Sequence, residues 1–173
     1  MKGIIKNVLN ESEIEQIFKL YNESSNEVEL YGEKLNRHNV SNKLGVFLLS
    51  HFTSEEFESF NSKIINSIEE KEGIELEVSY SRVLKYTIGC SIEKHYDIRT
   101  SQAQSGISII IQLSNQDDYL GGKAIIEDEE VILLPGDVLY YTYQYEHEVT
   151  KILSGNRFVI NLRAKIKKSN ALI

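Results

Sequence analysis

Apolar and polar positions along the chain change period near residue 73. Ile14, Ile17, Phe18 and Tyr21 recur at i, i+3, i+4 and i+7, the spacing of one apolar helical face. Asn10-Glu-Ser-Glu13 precedes them and predicts a helix start, with Asn10 or Ser12 as cap and acids in the first turn. A polar stretch and ambiguous sequence follow, to about Val46. Thr53-Ser-Glu-Glu56 repeats the capping pattern ahead of Phe57, Phe60, Ile64, Ile65 and Ile68, so a second helix is expected to stop near Gly73. Beyond Gly73 the period becomes 2. Strands are predicted over 77–86, 107–113, 123–127, 131–134, 138–143, 147–153 and 157–166. Gly121-Gly122, Pro135-Gly136-Asp137 and Ser154-Gly155-Asn156 supply turns. Short strands with no helices between them argue for an antiparallel sandwich or barrel.

Composition narrows the function classes. The chain has 173 residues, a size for one compact domain with a core that needs no staples. It is expected to divide into a mainly helical support over 1–73, a β core over 74–166 and a short basic tail over 167–173. Acids outnumber bases 26 to 19, a net charge of −7, which is a poor match to nucleic acid. No apolar run is long enough to span a membrane, and the amino end breaks into Asn too early for a signal-peptide core. Cys90 is the sole cysteine, so a reducing, cytoplasmic setting is expected and oligomeric state is left open.

Candidate chemistry centres on two of the four histidines. His95 and Asp97 stand at i and i+2, which puts both side chains on one face of a strand. His147 opens the next-to-last predicted strand. Two imidazoles and a carboxylate on one face of a β-barrel describe the facial triad that holds non-haem Fe(II) with open positions for O2 chemistry. A His-x-Asp triplet alone arises by chance in about one such chain in ten. Arg157 adds weight, lying ten residues beyond His147 across a turn. Its strand alternates Phe158, Ile160, Leu162, Ala164 and Ile166 against Arg157, Val159, Asn161, Arg163 and Lys165. The polar face meets either water or a polar cavity. A guanidinium beside a metal site suits bidentate capture of a carboxylate, which favours the cavity.

These residues in this order resemble the Fe(II)/2-oxoglutarate-dependent dioxygenases, and within them the prolyl 4-hydroxylase-like branch with its short bacterial and phage members. The resemblance covers roughly residues 75–166. Tyr86-Thr-Ile-Gly89 is similar to the family's lead into the metal motif, and Ser108 to Ser114 to the family strand ending in Leu-Ser. Gly121-Gly122 matches a double glycine, Leu134-Pro135-Gly136-Asp137 a turn, and Gly155-Asn156-Arg157 a Gly-x-Arg. The resemblance implies a double-stranded β-helix (jelly roll) of eight strands, mainly β in class, with the amino-terminal helices packed on one sheet. It implies Fe(II) on His95, Asp97 and His147, and 2-oxoglutarate on Arg157 with Tyr86 and Asn161. O2 is the oxidant and ascorbate a candidate reductant. The implied activity is hydroxylation of an unactivated C–H bond, with peptidyl proline as leading substrate. Rivals are the same chemistry on a free amino acid or other small molecule, and a non-catalytic cupin-like binding barrel. Ile111 departs from the family, standing where several prolyl hydroxylases place a tyrosine that reaches 2-oxoglutarate.

Other residues have plainer readings. His38 and His51 read as structural or surface histidines, and Cys90 as a small buried hydrophobe. Tyr141, Tyr143 and Tyr145 read by default as core packing, with Tyr143 the candidate for a substrate wall. Glu127 to Glu130 reads as a solvated hairpin tip. The polar run from Ile98 to Gly106 is either a plain loop or a lid in which Arg99 touches substrate.

Overall fold

A computed structural model describes residues 1–23, 29–31, 40–41, 44–48, 55–97 and 106–169. In chain order these form β1 (Lys2–Ile5), α1 (Glu11–Glu23), β2 (Glu29–Tyr31), β3 (Val40–Ser41), β4 (Leu44–Leu48) and α2 (Glu55–Glu72). The β-rich part continues as β5 (Ile74–Tyr86), β6 (Ser91–His95), β7 (Gly106–Gln112), β8 (Tyr119–Gly121), β9 (Ala124–Ile126) and β10 (Glu129–Val131). It closes with β11 (Val138–Thr142), β12 (His147–Val149), β13 (Ile152–Gly155) and β14 (Arg157–Ser169).

Both predicted helices form where the sequence places them. Asn10 is the cap of α1: its Oδ1 accepts the Glu13 amide at 3.0 Å, while Glu13 Oε2 accepts the Asn10 amide at 2.7 Å, a reciprocal capping box. Helix α2 ends at Gly73, whose amide donates to the Glu69 carbonyl. Ile14 and Ile17 of α1 and Phe60, Ile64, Ile65 and Ile68 of α2 are buried in one core with Ile107, Ile109 and Ile111 of β7 and Ile160, Leu162 and Ala164 of β14. Phe158 stacks edge-on against Phe18 and Tyr21 at 5.3 and 5.5 Å. The apolar face of β14 is therefore the floor on which the helices sit.

Two antiparallel sheets make the jelly roll. The larger runs β1-β11-β7-β14-β5-β4-β2 and the smaller β10-β9-β12-β6-β3, with β13-β8 as a separate pair. Two clusters join the sheets face to face: Leu84, Tyr86 and Val159 meet Ile92 and Val149, and Leu139 and Tyr141 meet Ile126 and Val131. The space between the sheets is where a site can sit, and the polar face of β14 points into it.

Several boundaries differ from the pattern-based expectation. Among the described residues before 73, short strands accompany the two helices. Strands β2, β3 and β4 lie between the helices, with β2 and β4 extending the larger sheet and β3 the smaller. The strand expected over 131–134 lies instead at β10, because Glu127 and Asp128 turn with left-handed φ of 53° and 65° and set the hairpin earlier. The acidic tip is exposed, as expected. The predicted 147–153 strand divides into β12 and β13, and its partner divides at Gly121-Gly122. A Cβ at Gly121 would lie 2.1 Å from the Lys151 carbonyl oxygen, so the close approach there needs glycine. The expected basic tail is strand as far as Ser169, with Lys165 opposite Glu77 and Lys168 opposite Glu75.

Candidate metal centre and cosubstrate pocket

His95 ends β6 and His147 begins β12, and antiparallel pairing sets the two directly opposite each other. Their ring centroids are 4.3 Å apart. Asp97 follows the end of β6 and swings to the same point, so one ligand atom from each of His95, Asp97 and His147 lies within 4.8 Å of the others. Nε2 of His147 is 3.4 Å from Asp97 Oδ1, and Nε2 of His95 is 3.7 Å from it. These gaps are long for hydrogen bonds. Each Nδ1 faces a backbone carbonyl two residues earlier, Glu93 O at 2.7 Å and Tyr145 O at 3.0 Å. A carbonyl only accepts, so each Nδ1 carries the proton and each Nε2 presents a lone pair to the shared point. Two imidazoles and one carboxylate so arranged fit a divalent first-row ion.

Asp97 is itself held. Ser108 Oγ donates to its Oδ2 and an Arg163 Nη to its Oδ1, while the other Arg163 Nη donates to Ser108 Oγ at 2.7 Å. Burial alone would push this carboxyl up. The Arg163 guanidinium, paired with it directly, holds it well below the usual carboxylate range. Tyr141 stacks against His147 at 4.8 Å, and burial, with Asp97 nearby, drives its hydroxyl further from ionisation.

Arg157 opens β14 and is 3% exposed. Its Nε donates to Gln112 Oε1 at 3.1 Å, and its guanidinium lies over the Tyr86 ring at 5.6 Å. Gln112 is fixed in turn by donating to Ser114 O at 2.9 Å and Tyr119 Oη at 3.2 Å. Burial pushes the Tyr86 hydroxyl up to about 12 despite the neighbouring cation. A cavity of about 250 Å³ opens here, lined by Arg157, Gln112, Tyr119, Gly122, Ala124 and Leu133.

The structure thus brings together the three expected ligands, and separately Arg157 with Tyr86. Asn161 is buried on the same face, but its Oδ1 accepts from Arg82 Nε at 3.1 Å rather than meeting Arg157. Tyr143 is 7% exposed, with its ring beneath Arg163. Arg99, His38 and His51 lie outside the described residues. Ile111 faces the helix-covered core, so its side chain is turned away from the cavity. Gln112, one residue on, is the β7 side chain that addresses Arg157. Ser108 and Gln112 went unmarked in the sequence, although their i, i+4 spacing puts them on one strand face. Arg163 was visible as the third polar position on the Arg157 face, but only the cross-strand register shows that it meets Asp97.

No family model matches the chain. The fold that the two sheets and the site define is that of the 2-oxoglutarate–Fe(II) oxygenases. Superposition on the viral collagen prolyl hydroxylase of Paramecium bursaria Chlorella virus-1 gives a TM-score of 0.66 at 13% identity, covering 95% of both chains. The epimerase SnoN of nogalamycin biosynthesis gives 0.74 at 13% identity, covering 95% of this chain and 78% of that one. At such identities the likeness is one of fold. In sequence, the chain is similar to a PKHD-type hydroxylase of Prochlorococcus marinus (strain MIT 9301), 38% identical over 63 residues, 34% of this chain and 28% of the relative. The matched part therefore spans little more than a quarter of that relative's length. Among the described residues no helix is long and apolar enough to cross a membrane.

Proposed function

We propose that the chain is an Fe(II)- and 2-oxoglutarate-dependent hydroxylase. The observation that carries this reading is the convergence of His95, Asp97 and His147 within 4.8 Å, at the end of a barrel whose interior buries Arg157. When bound, the metal and cosubstrate supply the oxidation: O2, 2-oxoglutarate and a C–H bond become succinate, CO2 and a C–OH group. The chain's part is ligation, orientation and exclusion of water. The two Nε2 atoms and Asp97 would hold the ion on one side and leave the opposite side open. Arg157, steadied by Gln112 and Tyr86, would take the distal carboxylate of 2-oxoglutarate in a bidentate pair. Ala124, Val131 and Leu133 provide apolar walls around that pocket. Asn161 would orient Arg82 rather than touch the cosubstrate.

Peptidyl proline is the substrate that the family resemblance suggests, and the likeness in fold to the viral collagen prolyl hydroxylase supports it. Similarity to SnoN supports a second reading, the same chemistry on a small molecule. A non-catalytic barrel leaves a buried guanidinium at the base of the cavity without a purpose. The sole cysteine, Cys90, is buried with its thiol pushed up to about 11, which fits a reducing, cytoplasmic setting.

The test is an anaerobic titration of metal-free protein with Fe(II) and then 2-oxoglutarate, watching for the visible charge-transfer band of the chelate. The band should form in the wild type, vanish in His147→Ala and weaken in Arg157→Ala. Its absence in the wild type would sink the reading.

A further inference from the structure

Arg163 is a cation set against the candidate metal centre that neither metal ligation nor cosubstrate capture uses. It stands six residues beyond Arg157 on the same face of β14, directly opposite Tyr80 of β5. One Nη meets Asp97, the other donates to Ser108 Oγ at 2.7 Å, and the guanidinium lies 5.0 Å from the Tyr143 ring centroid. Its side chain is 12% exposed. Its buried Nε has no acceptor among the described residues.

Without a metal, Arg163 and Asp97 neutralise each other. Resting on the dioxygenase reading, the balance changes once the site is loaded. The charges of a divalent ion, Asp97, dianionic 2-oxoglutarate and Arg157 then cancel among themselves. Arg163 is left as a largely buried cation whose counter-charge has been committed elsewhere, an arrangement proteins strongly disfavour. The missing partner is an anion that arrives with the substrate.

We propose that Arg163 anchors a substrate carboxylate, so that the enzyme hydroxylates a molecule carrying that group beside the oxidised carbon. The unpartnered Nε adds a donor that a carboxylate accepts. The carboxylate can be the α-carboxylate of a free amino acid, or a side-chain or C-terminal carboxylate of a peptide next to the target residue. A proline deep in a neutral peptide offers Arg163 nothing.

The experiment begins with the Fe(II)–2-oxoglutarate band in wild type and Arg163→Gln. A panel is then titrated by calorimetry into protein loaded with redox-silent Mn(II) and 2-oxoglutarate, and assayed for succinate with Fe(II). The panel holds the twenty free amino acids, N-acetylated proline tetrapeptides ending in a carboxylate or with Glu beside the proline, and the amide of every member. At least one carboxylate should bind about tenfold or more tightly than its amide in the wild type. Arg163→Gln should bind the two alike and Arg163→Lys keep part of the difference. Comparing carboxylate with amide within one variant cancels any general loss of metal. If Arg163→Gln does not fold, Arg163→Lys decides: an undiminished difference between carboxylate and amide would overturn the anchor, and a reduced one supports it. The arm that responds separates a free amino acid from a peptide. Equal binding of amide and carboxylate, no carboxylate bound, or discrimination that survives in Arg163→Gln would each overturn the anchor. With the wild-type band present, such a result leaves the dioxygenase reading standing; with the band absent, both fall.

Discussion

His95 and His147 are cross-strand partners in the smaller sheet, and the carbonyl two residues before each ring holds its Nδ1. The candidate metal centre is therefore built on strand pairing, with only Asp97 supplied from beyond a strand end. A site on paired strands is more rigid than one on loops.

The Asp97–Arg163 pair is buried on both sides, with side chains 3% and 12% exposed. Removing one partner strands the other. In metal-free protein, Asp97→Leu and Arg163→Leu should each cost about 3 kcal/mol. The double variant should cost less than the two added together by at least about 1 kcal/mol. Urea denaturation of the four proteins measures this, and strict additivity would refute the coupling.

Gln112 lines the cavity beside Arg157 and fixes its guanidinium through Oε1. Gln112→Leu should raise KM for 2-oxoglutarate about tenfold while leaving the affinity for metal unchanged. Unchanged KM would mean that Tyr86 and the cavity walls suffice to hold the arginine.

Asp137 accepts from Lys6 at 2.8 Å and from the Leu134 and Asn7 amides at 2.8 and 3.1 Å. Burial pushes its carboxyl up, but these donors outweigh that and hold it below the ordinary 3.8. Because the folded value is the lower one, the stabilisation is complete above about pH 5 and is lost as pH falls through that folded value. Asp137→Asn should cost about 2 kcal/mol at pH 7 and flatten the decline in acid. Stability curves that run parallel from pH 7 to pH 3 would show that Asp137 does not carry it.

Gly136 has φ +85°, and a Cβ there would lie 2.0 Å from the Leu9 carbonyl oxygen. Its own carbonyl accepts the Val8 and Leu9 amides. Gly136→Ala should cost about 2 kcal/mol and speed hydrogen exchange at residues 8 and 9. Unchanged exchange at those amides would show that the turn relaxes without releasing them.

Jelly-roll strands and metal ligands were legible because both depend on local period: alternation marks a strand, and i, i+2 spacing puts His95 and Asp97 on one face. Strands β1, β2, β3 and β4 were not, because two to five residues are too few to establish a period. The β10 boundary failed for another reason. Ile132, Leu133 and Leu134 are apolar and look like strand, yet Ile132 and Leu134 are 61% and 53% exposed. The turn at Glu127-Asp128 decided the register there. Ser108 and Arg163 escaped because their role depends on which strands become neighbours, and β14 meets β7 only through tertiary pairing.

That same pairing sets the order in which the protein can assemble. Strand β14 lies between β7 and β5, which do not pair with each other. During synthesis the larger sheet exists as two separate halves with bare edges until its middle strand emerges. Its completion is therefore delayed until β14 has been made, with the long loop closures that make such topologies slow. Any stall before residue 157 leaves two open strand edges exposed to other chains, the circumstance in which β proteins aggregate.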